Sequence, residues 1–175
     1  YSPAMRSFIA GVLARAGEIC AFTNPVPGSY ARFGSFEAPR YVAWSHQNRS
    51  QLIRIPAAPA PEYARIEVRM PDVSCNPYLA FALLLAAGFE GMERKMELAE
   101  ETPYDLYTAN AGALEALPAS LEEAIARAGG SAFVEKVLSA DTARKYLALK
   151  QAEQNRWFAA RDKEKYQDEA YFGVL

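Results

Sequence analysis

Two short stretches of this chain, NRSQLIRIP from Asn48 and RIEVRMPD from Arg65, hold four arginines and one glutamate between prolines. Guanidinium forks match the oxygens of phosphates and carboxylates, and a carboxylate among them suits a divalent cation that bridges the same oxygens. Side chains alternate along a strand, so Arg65, Glu67 and Arg69 should share one face while Ile66, Val68 and Met70 line the other. The plainer reading of that face is a solvent-facing ladder of ion pairs worth little per pair. Arg49 and Arg54 differ in parity, so a shared site requires Arg49 to lie in the polar turn HQNRS. A single glutamate does not make a metal site, and a lone strand histidine such as His46 is more often structural than a ligand.

The surrounding chain narrows the class of partner. Its 175 residues suffice for one domain with a real core, and a hydrophobic share of 51% with 23% charged residues marks a globular chain. A formal net charge of −2 argues against a general nucleic-acid or membrane-surface binder, so any anion site must be local. Cys20 and Cys75 form no C-x-x-C or Cys/His pattern and are expected to be free thiols in a reducing compartment. The apolar run YLAFALLLAAGF from Tyr78 is shorter than the roughly 20 residues needed to cross a bilayer. No membrane segment and a cytoplasmic location are therefore expected.

The elements that must carry the arginines follow from caps and periodicity. Ser2 and Pro3 open a helix through about Phe22, with Phe8, Ile9, Val12, Leu13 and Ile19 as its buried stripe. Thr23 to Pro39 is a long loop, and Arg32 and Glu37 within it read, by composition alone, as solvated charges. RYVAWSH, SQLIRIP and YARIEVRMP read as three strands. Asn76 and Pro77 cap a helix to about Met96, apolar on nearly all sides and so expected to be deeply packed. Ser120 with Glu123 signals a capping box for a helix ending at Gly129–Gly130. A short helix from about Ser131 and a long one from Asp141 to about Lys163 follow. The expected fold class is α+β, with a partial antiparallel sheet of about three strands and a packed set of helices. So small a sheet leaves an edge open, which suggests that it belongs to a larger sheet.

FTNPVPGSYARFGSFEAPRYVAWSHQNRSQLIRIP, followed by RIEVRMPDVSCNPYLAFALLLAAGFEGM, strongly resembles the C-terminal part of the catalytic domain of glutamine synthetase, bacterial type I-like. The likeness runs from about Ser7 to Met96 and more loosely through the terminal helices. N-R-S-x-x-I-R-I-P, R-x-E-x-R-x-P-D and N-P-Y-L-A are its specific motifs. It implies that residues 1–175 are a C-terminal fragment of that catalytic domain, with the N-terminal β-grasp domain and the upstream catalytic segment absent.

The resemblance implies a ligase that makes glutamine from glutamate, ammonia and ATP through γ-glutamyl phosphate, with Mg²⁺ or Mn²⁺ as cofactor. Carried over by position, Arg32 and Arg69 would hold the glutamate carboxylates. Glu37 would shield the intermediate and help deprotonate ammonium. Arg49, Arg54 and Arg65 would contact ATP phosphates, with Arg49 on the transferring phosphoryl group, and Glu67 would be one metal ligand. The parent is expected to be a homo-oligomer, and the fragment alone to be inactive. Three departures stand out: a short segment between SYAR and FEAP, Glu62 where many members carry lysine, and the tail KYQDEAYFGVL. The alternatives are a related γ-glutamyl-amine ligase and a non-catalytic assembly or regulatory module of the same family.

Overall fold

The computed structural model describes residues 1–35 and 37–172; Phe36 of the FEAP motif and the last three residues of the tail lie outside the described residues. Helix α1 spans Pro3–Thr23, and Ser2 caps it by accepting a hydrogen bond from the Met5 amide. Three short strands follow: β1 (Trp44–His46), β2 (Ile53–Ile55) and β3 (Glu67–Val68). Helix α2 spans Pro77–Glu93, where the Asn76 side chain accepts from the amides of Tyr78 and Leu79. The rest of the chain is α3 (Leu121–Gly129), α4 (Ala132–Leu138), α5 (Ala140–Ala159) and α6 (Lys163–Gln167), with a π-helical turn at Asp168–Phe172. The α+β class holds.

The helices pack around α1, which meets α2 along its length and α3 beyond it, while α5 lies on α3 and α4. Ile9, Val12, Ile19 and Phe22 of α1 form one core with Leu83 and Ala87 of α2, Ile53 and Ile55 of β2, and Met70. The crossing of α1 and α2 is tight enough to require glycine. A Cβ on Gly11 would overlap the Ala87 carbonyl oxygen, and one on Gly91 would overlap the Ser7 carbonyl oxygen. Alongside this crossing, Arg15 grips Glu90 with two hydrogen bonds of 2.8 Å and Glu18 with one of 2.7 Å, while Arg94 adds a bond of 3.0 Å to Glu90. The Arg15 guanidinium, foremost among these partners, holds the Glu90 carboxyl at about 2.

The sheet departs from expectation. Its order is β1-β2-β3, with β2 and β3 antiparallel but β1 and β2 parallel, so it is mixed rather than wholly antiparallel. A parallel pair ordinarily needs a crossover of a dozen or more residues. Here each strand has only three residues, and residues 47–52 suffice to carry the chain back to the start of β1. Gln47, at φ 60°, supplies the turn.

Helix α2 also differs from the all-round burial expected of it. Tyr78, Phe81, Leu85 and Phe89 recur at helical spacing and are exposed, whereas Leu83 and Ala87 are fully buried. The helix expected from Asp141 to about Lys163 stops at Ala159, where Ala160 turns extended. Lys163 folds back onto the carbonyls of Trp157, Phe158 and Ala160, and Asp162 caps α6 through the Lys165 amide. Both cysteines are free; burial pushes the Cys20 thiol up to about 12, and Cys75 is partly exposed and also raised, chiefly by burial. Among the described residues no helix is long and apolar enough to cross a membrane.

Candidate functional site

The polar face of the sheet is set by the core beneath it. Ile53 and Ile55 point inward and are buried, so Arg54 between them points to the opposite face. The antiparallel register pairs Arg54 with Glu67, and an Arg54 nitrogen lies 2.7 Å from a Glu67 carboxylate oxygen. Arg69 approaches the same oxygen at 3.5 Å. Arg54 and Glu67 thus share one side of the sheet, as a common site requires.

Arg69 joins this pair to the loop residues. Its Nε donates to the Arg49 carbonyl at 3.1 Å, and one Nη donates to the Glu37 carbonyl at 2.9 Å and faces the Glu37 carboxylate at 3.5 Å. Arg49 lies in the β1–β2 connection, where the turn HQNRS put it, and donates to Glu37 at 2.7 Å. Both partners of that pair are open to solvent, with side chains 59% and 54% exposed, whereas Arg69 and Arg54 are at 15% and 18%. Hydrogen bonding from Arg49 is the main cause that lowers the Glu37 pKa, and the same bond raises that of Arg49. Glu37 sits at φ 63°, a left-handed conformation that side chains other than glycine rarely adopt. Glu37, read by composition alone as a solvated charge, is exposed but belongs to the cluster at a strained backbone position.

Arg32 and Arg65 stand apart from this group. Arg32 donates to Asn24 Oδ1 and to the Met70 carbonyl, each at 2.7 Å, and its Nε lies 3.9 Å from an Asp72 oxygen. Its acceptor Met70 adjoins Arg69, but its contact with Asn24 turns it to the C-terminal cap of α1. Arg65 donates to the Tyr63 carbonyl at 3.3 Å and lines a groove with Met5, Phe8 and Met92. The ladder reading of residues 65, 67 and 69 extends too far because the paired strand covers only Glu67–Val68.

Three guanidinium groups, Arg49, Arg54 and Arg69, thus face two carboxylates, Glu37 and Glu67, a surplus of one positive charge (3 − 2). This arrangement can receive a polyanion by exchanging internal partners for ligand oxygens. It does not fit a complete metal centre, since the described residues contain no group of three His, Cys, Asp or Glu able to hold an ion. His46 is structural: its ring and its amide both engage Glu101, at 2.8 and 2.7 Å.

A second set of residues carried only a faint sequence signal. The segment Thr102–Tyr107 lies against the connection that bears Arg49. Gln51 Nε2 donates to the carbonyls of Thr102 and Tyr104 at 2.9 and 3.0 Å, and Asn48 Nδ2 donates to that of Tyr104 at 2.9 Å. The Leu106 amide donates to Ser50 Oγ at 2.9 Å, and Tyr107 Oη donates to the Arg49 carbonyl at 3.2 Å. Most of the acceptors are main-chain carbonyls, which composition does not reveal. The available signal was the polar trio Asn48, Ser50 and Gln51, whose last two members are buried.

Residues 1–168 match the family model for the glutamine synthetase catalytic domain. This chain belongs to that family. A glutamine synthetase of Methanosarcina mazei is 43% identical over 158 residues, covering 87% of this chain and 35% of that protein. One from Azotobacter vinelandii is 42% identical, covering 84% of this chain and 33% of that protein. The chain thus spans about a third of the length of the curated relatives it matches. Among solved structures, a GmaS/ADP complex matches with a TM-score of 0.81 at 25% identity, over 99% of this chain and 40% of that one. GmaS without ligand matches with a TM-score of 0.78 at 26% identity, over 95% of this chain and 38% of that one.

Proposed function

We propose that this chain is the C-terminal part of the catalytic domain of a glutamine synthetase, the upstream catalytic segment and the β-grasp domain lying outside it. The intact ligase joins ammonia to the side-chain carboxylate of glutamate at the expense of ATP. The observation that carries this reading is the cluster in which Glu67 sits between Arg54 and Arg69 while Glu37 ties Arg69 to Arg49. Phosphoryl transfer rests mainly on positioning and charge neutralisation, which a set of convergent guanidinium groups supplies.

Within that reading, Arg49 and Arg54 contact ATP phosphates, Arg49 meets the charge that develops on the transferring phosphoryl group, and Arg69 holds a carboxylate of glutamate. Arg65 joins the phosphate contacts, and Arg32 the glutamate contacts, only by releasing the Tyr63 and Met70 carbonyls that they bind here. Glu37 shields the γ-glutamyl phosphate and helps deprotonate ammonium; the Arg49 bond that lowers its pKa keeps it ionised but weakens it as a base, so accepting the proton requires that bond to be exchanged. Glu67 is one ligand of the Mg²⁺ or Mn²⁺ that the family implies, with the remaining ligands outside this chain. The parent acts in the cytoplasm as a homo-oligomer. The fragment alone does not turn over, because one proposed ligand and an unsupported arginine face do not make the site.

The test is the full-length parent given ATP, Mg²⁺, glutamate and ammonium, with phosphate release and glutamine measured together. Arg49→Ala should lower kcat by about 100-fold while leaving ATP affinity nearly unchanged, since the contact strengthens in the transition state. A second reading, a γ-glutamyl-amine ligase, takes support from the likeness to GmaS. It keeps the same arginines and changes the acceptor. Activity with putrescine and none with ammonium would replace the first reading by the second.

A further inference from the structure

We propose that Tyr107 is a positioning residue for Arg49, and that Thr102–Tyr107 is the strap which holds the arginine-bearing connection in register. The inference rests on the ligase reading above for its effect on turnover, but its geometry is independent of that reading. Arg49 is placed by little of its own side chain, which is largely in water and is tied to a carboxylate that is equally exposed. Such a pair is weak and easily exchanged. The location of the guanidinium must then come from its main chain.

That main chain is held from two sides at one atom. The Arg49 carbonyl accepts from Arg69 Nε on the sheet and from Tyr107 Oη on the strap. The neighbours on either side are pinned to the same strap: Asn48 and Gln51 to the Tyr104 carbonyl, Gln51 also to that of Thr102, and Ser50 to the Leu106 amide. Gln51 and Ser50 are buried, so these bonds are shielded from competition by water. Tyr107 alone of the strap's side chains reaches the Arg49 peptide, and its phenol pKa is raised chiefly by burial, with Arg69 opposing the rise and Glu37 and Asp105 adding to it, so it stays a neutral donor at physiological pH. A hydroxyl at this point fixes the Arg49 peptide without using any of the arginine's side-chain donors, of which only the exposed, exchangeable bond to Glu37 is occupied among the described residues.

The test compares the full-length parent with its Tyr107→Phe variant, which keeps the ring and deletes the donor. The expected result is a fall in kcat of about tenfold, with little change in KM for ATP and an unshifted Tm, because small misplacement of a positioned group is costly to rate. Hydrogen–deuterium exchange across residues 47–52 should quicken in the variant. Gln51→Leu should quicken the same exchange, and Tyr107→Trp should not restore kcat. Unchanged turnover with unchanged exchange overturns the proposal, as does a loss confined to KM or accompanied by a lowered Tm. If the wild-type parent shows no ligase activity with any amine, the functional reading fails, and the exchange measurement alone decides the strap.

Discussion

The α1–α2 seam and the arginine-bearing sheet are built on opposite principles. In the seam, every demand is met within the chain: glycines let the backbones touch, Leu83 and Ile9 fill the space, and Arg15 closes on Glu90 with a bidentate fork. In the sheet, strands of two or three residues carry partly exposed charges whose partners are shared, with Glu67 serving two arginines through one oxygen. Stability is concentrated in the first region and exchangeable charge in the second. A chain can thus keep a rigid body while leaving its polar face free to trade partners.

The sharpest way to break this contrast is to open the seam. Leu83→Ala should destabilise the isolated chain by about 2–5 kcal/mol, because it leaves a cavity in a fully buried position. Chemical denaturation read by circular dichroism checks it, and a cost below that of a surface substitution would show that the seam is not where stability lies. The converse substitution, Glu67→Ala, should cost the isolated chain about 1 kcal/mol or less. In the full-length parent the same change should reduce turnover by about 100-fold, since Arg54 and Arg69 lose their shared anchor. Equal losses of stability and activity would erase the distinction between the regions.

Acid separates the regions more gently. Folding lowers the Glu90 pKa from 4.5 to about 2, so its stabilising contribution is complete above its ordinary value and fades as pH falls towards about 2. Thermal melts of the chain between about pH 5 and about pH 2.5 should show a declining Tm that Glu90→Gln flattens. The smallest effect is expected at the loop tip. Glu37→Gly removes an exposed ion pair but relieves a left-handed backbone, so Tm should stay within about 2 °C of the parent sequence. A larger fall would mean that the Glu37–Arg49 pair contributes more to the fold than its exposure implies.

Much of the helical frame was legible because its signals are local. Ser2, Asn76 and Ser120 are followed by the residues they cap, and each cap forms where its chemistry put it. The pairing of Arg54 with Glu67 was what the family resemblance required, since alternation within one strand does not set the register across to the next. The parallel β1–β2 pair was not, because turn-like residues between two apolar runs look the same whether the chain reverses or loops back. The exposed stripe of α2 was hidden for a related reason: a helix apolar all round gives no indication of which side the chain itself will cover. Arg32 and Arg65 show the limit of reading charge by position, since nearby carbonyls of Met70 and Tyr63 claim their donors.

The two cysteines, finally, give the chain a selective handle without mutagenesis. Cys20 is sealed in the core with its thiol pushed up to about 12, so it offers almost no thiolate to an alkylating reagent near neutrality. Cys75 lies partly open between the end of the arginine-bearing strand segment and the cap of α2. Maleimide chemistry should therefore attach one fluorophore or spin label per molecule, just before the Asn76 cap of α2. A label at that spot sits six residues from Arg69, outside the buried core that holds Cys20.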